Sequence, residues 1–174
     1  MLTAGVVMML AGAGFCTAAP EDAPRPEAPV LSTEISGRDL VFFTGMARET
    51  ALVAGLSELA EKHAVTPEVQ ALAAAVDKDE AAARASLTAL AGRKQVPVAV
   101  EPDGEGKKQL LALGKLKGPK FDKSYLDALA DAQDEMEKSL EAGAASADGD
   151  IKAAAQAAQG TLKEERERVR KLGF

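Results

Sequence analysis

Three polar side chains interrupt otherwise apolar helical stripes: Glu80 between Val76 and Ala83, Gln133 between Leu129 and Met136, and Glu165 between Leu162 and Val169. Glu49 holds the same place between Met46 and Val53. Inward carboxylates from several helices are how helical bundles hold iron or manganese, because hard cations take oxygen donors and a dry cavity strengthens the attraction. Such sites normally add Glu-x-x-His pairs. Here the sole histidine, His63, closes the first helix beside Glu61 and Lys62 and is assigned a solvated or C-capping place. Charged residues on a stripe usually sit at its edge or in a pair, and Arg84, Lys163 and Arg166 are available as partners. Glu49, Glu80, Gln133 and Glu165 are therefore read as structural. Carboxylate-based metal binding is the alternative, and no cofactor is expected.

Other chemistries are poorly served. One histidine does not make a Ser, His and Asp set, and residues 97–106 form a turn-rich stretch without phosphate-binding spacing. The only cysteine, Cys16, falls in the leading apolar segment, so no thiol, disulfide or Cys-based metal site is expected in the mature protein. A formal charge of -6, with both signs mixed along the helices, gives no general attraction to phosphate backbones or anionic lipid. Nucleic acid is excluded as a partner, and the partner expected instead is a protein or other envelope component. Residues 164–168, Glu-Glu-Arg-Glu-Arg, read as a solvated helix face with i to i+4 pairing. No residue is assigned a catalytic role.

The elements that must position these residues are four helices. Hydrophobic residues make up 47% of the chain but aromatics only 3%, and the dominant Ala, Leu, Glu and Lys are helix formers. Apolar stripes with helical spacing run through Phe42, Met46, Val53, Leu56 and Ala60, and then through Val69, Leu72, Val76, Ala83, Leu87 and Leu90. Two more carry Tyr125, Leu129, Met136 and Leu140, and Ile151, Ala155, Ala158, Leu162, Val169 and Leu172. Thr66-Pro67 marks the second helix start, with Thr66 as N-cap. The second helix closes near Gly92, the third starts at Phe121-Asp122, and the fourth follows Asp148-Gly149-Asp150. At the helical rise all four are roughly 36 to 40 Å long, which suits side-by-side packing. The alanine-rich stripes favour close approach.

Short connections make hairpins of helices one and two and of helices three and four, whereas residues 94–120 form a long connection between helices two and three. Residues 107–116 within it are expected to add a short helix. The long connection leaves two docking polarities open, a crossover bundle of the ferritin kind and a simple up-and-down order. The resulting class is an all-α four-helix bundle over residues 38–174.

Residues 1–19 lack charge, run apolar through Val6 to Leu10 and end in small residues, which is the pattern of a signal peptide cleaved near Ala18 or Ala19. Export to the periplasm or medium is expected. Lipidation at Cys16 is the competing reading, opposed by the large Phe15 before it. Membrane contact is thus expected only through an uncleaved or lipidated N-terminus. Residues 20–37, with Pro20, Pro24, Pro26 and Pro29, read as a Pro-rich linker that buries too little surface to order itself.

Two segments carry a family resemblance: Pro67-Glu68-Val69 followed by Val76 and Asp79, and Gly118-Pro119-Lys120-Phe121-Asp122-Lys123-Ser124-Tyr125-Leu126. They resemble the DUF4142 family, over roughly residues 42–172. The resemblance implies a bacterial envelope protein with a ferritin-like helical fold and no established activity. It also implies histidines where this chain has Glu80, Gln133 and Glu165, and a first-helix glutamate where it has Val53, with Glu49 one turn away. Loss of every imidazole leaves any site with a preference for hard cations. The function expected is that of a non-catalytic envelope module, interaction- or stress-related.

Overall fold

The computed structural model describes residues 34–172. The apolar leader, Cys16 and most of the Pro-rich linker lie outside the described residues. Those that are described form an all-α structure of five helices: α1 (Gly37–His63), α2 (Pro67–Lys94), α3 (Gly104–Leu113), α4 (Pro119–Ala144) and α5 (Gly149–Lys171).

Local chemistry sets each boundary. Ser36 opens α1 in a reciprocal capping box with Asp39, so the helix starts at Gly37, inside the segment read as linker. Pro119 supplies the first position of α4 after Gly118, whose φ of 63° glycine adopts without strain. That helix therefore starts two residues before the expected Phe121. α2 passes Gly92 and stops at Lys94, where Gln95 turns left-handed and returns its N–H to the carbonyls of Ala91 and Gly92. The short helix comes three residues earlier than expected because Asp103 caps it, accepting from the Gly106 N–H. Asp148 caps α5 in the same way.

Contacts between helix ends give the directions. Ser146 Oγ, just past α4, donates to Asp39 Oδ1 at the start of α1 (2.5 Å). At the far end of this pair the rings of His63 and Phe121 lie 5.5 Å apart, so α1 and α4 are antiparallel. Asp122, in the first turn of α4, accepts from the N–H groups of Val65 and Thr66 at the start of α2 (3.1 and 2.9 Å), so α2 and α4 run the same way. Lys94 at the end of α2 meets Asp148 before α5 (2.5 Å), and Arg168 near the end of α5 meets Asp79 on α2 (2.7 Å). These two are antiparallel. The connection between α2 and α4 returns along the outside of α1, where Leu110 of α3 covers Gly55.

The core takes in most of the stripes predicted from periodicity, but Ala83, Ala158 and Leu172 are only half-buried, and Phe43 and Phe121 join it from beyond the stripes. Phe43, Val53, Leu56, Val76, Phe121, Tyr125, Leu129 and Ile151 are fully buried within it. α1 is long and apolar enough to cross a membrane, yet 61% of its most apolar window is buried in the protein, as befits a central helix. Close approach occurs at Gly143, where an added Cβ would stand 2.5 Å from the Phe42 ring and 2.8 Å from Ala155.

The alanine stripes of α2 and α5 border a cavity along part of their length. Lys94–Asp148 ties the end of α2 to the start of α5, and Arg168 near the end of α5 holds Asp79 midway along α2. The residues facing each other in between are mostly alanines, including Ala83 and Ala158, whose side chains are too short to fill the gap and stay half-buried.

Candidate functional site

Helices α2, α4 and α5 bring three of the four stripe-interrupting residues together. Gln133 Nε2 donates to Glu165 Oε2 across the interior at 3.3 Å. Glu80 faces the same place from α2, near enough for its carboxyl to be affected by that of Glu165. None of the three is more than 4% exposed. Burial first, then the charges of Glu165 and Asp79, push Glu80 up to about 8, with Arg84 acting weakly in the opposite sense. Burial and Asp79 likewise push Glu165 up to about 7, against the lowering influence of Gln133 and Arg168. Carboxyls this close titrate as a pair, and the pair keeps a proton at neutral pH. One oxygen, Glu80 Oε2, is buried without a hydrogen-bond partner.

Glu49 does not join them. Its carboxylate is buried but turned toward α3, where it pairs with Arg48 at 2.5 Å and lines a separate pocket of about 180 Å³ with Asp103 and Glu135. The family position at Val53 is fully buried and apolar. The layer thus holds two carboxyls and one amide, and among the described residues no three His, Cys, Asp or Glu side chains are grouped so as to hold a metal ion. His63 is half-buried outside the layer, against Phe121 and 2.7 Å from Lys117 Nζ.

The layer closes one end of a half-enclosed cavity of about 380 Å³ lined by all four long helices. Phe42 and Met46 contribute from α1, Met136 and Leu140 from α4, and the alanines of α2 and α5 form its sides. Asp79 stands beside Glu80 at the same end, held by Arg168. This arrangement can accept a ligand with an apolar body, and it offers carboxyl oxygens at one end only.

A family model described as a domain of unknown function, DUF4142, matches residues 25–172. The chain belongs to this family. No curated protein and no solved structure matches it. The two segments that carried the resemblance have clear structural work within the family domain. Pro67 starts α2, and Asp79 anchors Arg168 of α5. In the second segment Gly118 and Pro119 start α4 and Phe121 and Tyr125 fill the core. Asp122 holds the turn between α1 and α2, where the Thr66 hydroxyl also donates to its carboxylate. Thr66 is the N-cap residue as expected, but its hydroxyl serves Asp122 and makes no cap bond.

Sequence reasoning missed two features of the site. Arg166 and Arg168 belong to a run read as a solvated face with pairing inside its own helix, yet both cross to other helices. Arg166 bonds Asp134 and Glu137 of α4, and Arg168 bonds Asp79 of α2. Arg166 is thereby spent outside the layer. The second is the buried Tyr125 hydroxyl, which lies toward Ser57 Oγ without a hydrogen bond of good geometry. Burial foremost drives that phenol up to about 12. Periodicity marks Tyr125 as core but says nothing of where its oxygen ends.

Proposed function

We propose that this chain is a non-catalytic, exported helical bundle of the bacterial envelope that acts by binding. The observation that carries the reading is the buried layer of Glu80, Gln133 and Glu165 beside a half-enclosed cavity. Where the family resemblance implies imidazoles, these residues leave a carboxyl pair that shares a proton, with one unpartnered oxygen, at the end of a largely apolar cavity. Two carboxyls sharing a proton and one amide are too few oxygen donors for a resident divalent cation, and no nucleophile and base are paired within the cavity. The succession of helix directions, with α1 and α5 one way and α2 and α4 the other, supports a four-helix bundle of ferritin-like order. Export follows from the leading apolar segment.

Metal content decides between this reading and a carboxylate metal site. The purified mature protein is assayed for bound metal, then titrated with manganese(II), iron(II) and calcium(II) while its thermal unfolding is followed. We expect substoichiometric metal and no cation-dependent rise in Tm. One cation per chain, with binding abolished by Glu80→Gln, would overturn the proposal.

A further inference from the structure

We infer that the cavity between α2 and α5 is a binding site for an amphiphilic primary amine, with its ammonium against Glu80 and Glu165 and its hydrocarbon body between Ala83 and Ala158. This rests on the binding role proposed above and names the ligand class. Glu80 is 4% exposed, lines the cavity, and has an oxygen with no partner. A buried acceptor left unpaired is costly, so the protein alone does not satisfy this end of its own cavity. An ammonium brings three donors and one positive charge to two carboxyls, which is more than a hydroxyl head can offer.

Charge around the site selects the same head. The groups facing it are Asp79, Glu80 and Arg84 from α2, Glu165 and Arg168 from α5, and the neutral Gln133 from α4, while α1 supplies only apolar side chains such as Met46. Arg168 is committed to Asp79 at 2.7 Å. An anionic head would meet three acidic side chains, whereas a cationic one is complementary to them. The remaining walls are mostly Met46, Met136, leucines and alanines, interrupted by the hydroxyls of Ser86 and Thr161, and offer an alkyl body a largely apolar surface.

Octylamine, octanol and octanoate share one body and differ only in the head. Each is titrated calorimetrically into the full mature chain at neutral pH, with manganese(II) titrated alone in parallel. Octylamine should bind one per chain, at least about tenfold tighter than octanol, with octanoate weakest. Glu80→Gln should bring octylamine to the level of octanol and leave octanol unchanged. Ala83→Leu or Ala158→Leu should weaken octylamine and octanol alike, with circular dichroism and Tm showing which of the two variants is folded. Equal binding of all three heads, binding of none, or an amine preference that survives Glu80→Gln would overturn the inference. So would a sedimentation profile in which the chain dimerises and octylamine competes with dimer formation, because the cavity would then seat a second copy. Stoichiometric manganese binding lost in Glu80→Gln would refute the functional reading itself. A metal-free protein without amine preference would sink only the ligand class.

Discussion

Glu80 and Glu165 show how little a residue's type says about its charge. Both are carboxylic acids on helices that also carry lysine and arginine, yet burial among apolar side chains raises both toward or above neutrality. The folded protein therefore binds protons over a range in which the unfolded chain, titrating near 4.5, has released them. Stability must fall as pH rises from the unfolded value through about 7 and about 8. Asp39 and Asp148 act in the opposite sense. Burial raises Asp39, but hydrogen bonds from Ser146 and Ser36 outweigh it and hold the carboxyl below its ordinary value, and Lys94 does the same for Asp148. Their contribution is present above the unfolded value of 3.8 and is lost as pH falls through the folded values. Thermal unfolding should accordingly give the highest Tm near about pH 5 and a lower one at about pH 8.5. Glu80→Gln combined with Glu165→Gln keeps a partner for Gln133 and should flatten that alkaline decline. A wild-type Tm that is level or rising across this interval would show that the two acids are ionised in the fold.

At the scale of elements, the helices are joined by acids at their ends more than by their loops. Asp122 accepts from two backbone N–H groups and one hydroxyl of the turn between α1 and α2, at 5% exposure. Removing it leaves those donors without a partner in a confined place. Asp122→Ala should cost about 1 to 3 kcal/mol in urea unfolding, with the m-value unchanged. A loss within experimental error would mean that water replaces the carboxylate at no cost. The opposite end carries the matching device in two buried acids, Asp39 held by Ser146 and Asp148 held by Lys94, so buried acids tie separate helices at each end of the molecule.

For the molecule as a whole, the unequal depth of the helices predicts unequal opening. α1 packs against α2, α4 and α3 and holds much of the core, whereas only Gly106 and Leu113 of α3 are buried and Leu111 is 68% exposed. Amide hydrogen exchange should be fastest in α3 and its flanking connection and slowest in the middle of α1 and α4. Protection of α3 equal to that of α1 would show that the crossover unfolds only with the core.

The sequence by itself determined the all-α class, the four long helices and their core faces, because a 3.6-residue stripe and a capping residue are local properties that survive any later packing. It also singled out Glu80, Gln133 and Glu165, since a polar residue within a stripe has to face the interior or its edge. Only the tertiary structure decided which of those two places each one took. Glu49 satisfies the same spacing rule, but the neighbour that covers its helix face is α3, and a residue's covering neighbour is set by the path of the chain and not by its own periodicity. The cavity was equally illegible. Alanine stripes permit close approach, but the ties Asp79–Arg168 and Lys94–Asp148 hold α2 and α5 as they are, and the short side chains between them leave the space unfilled.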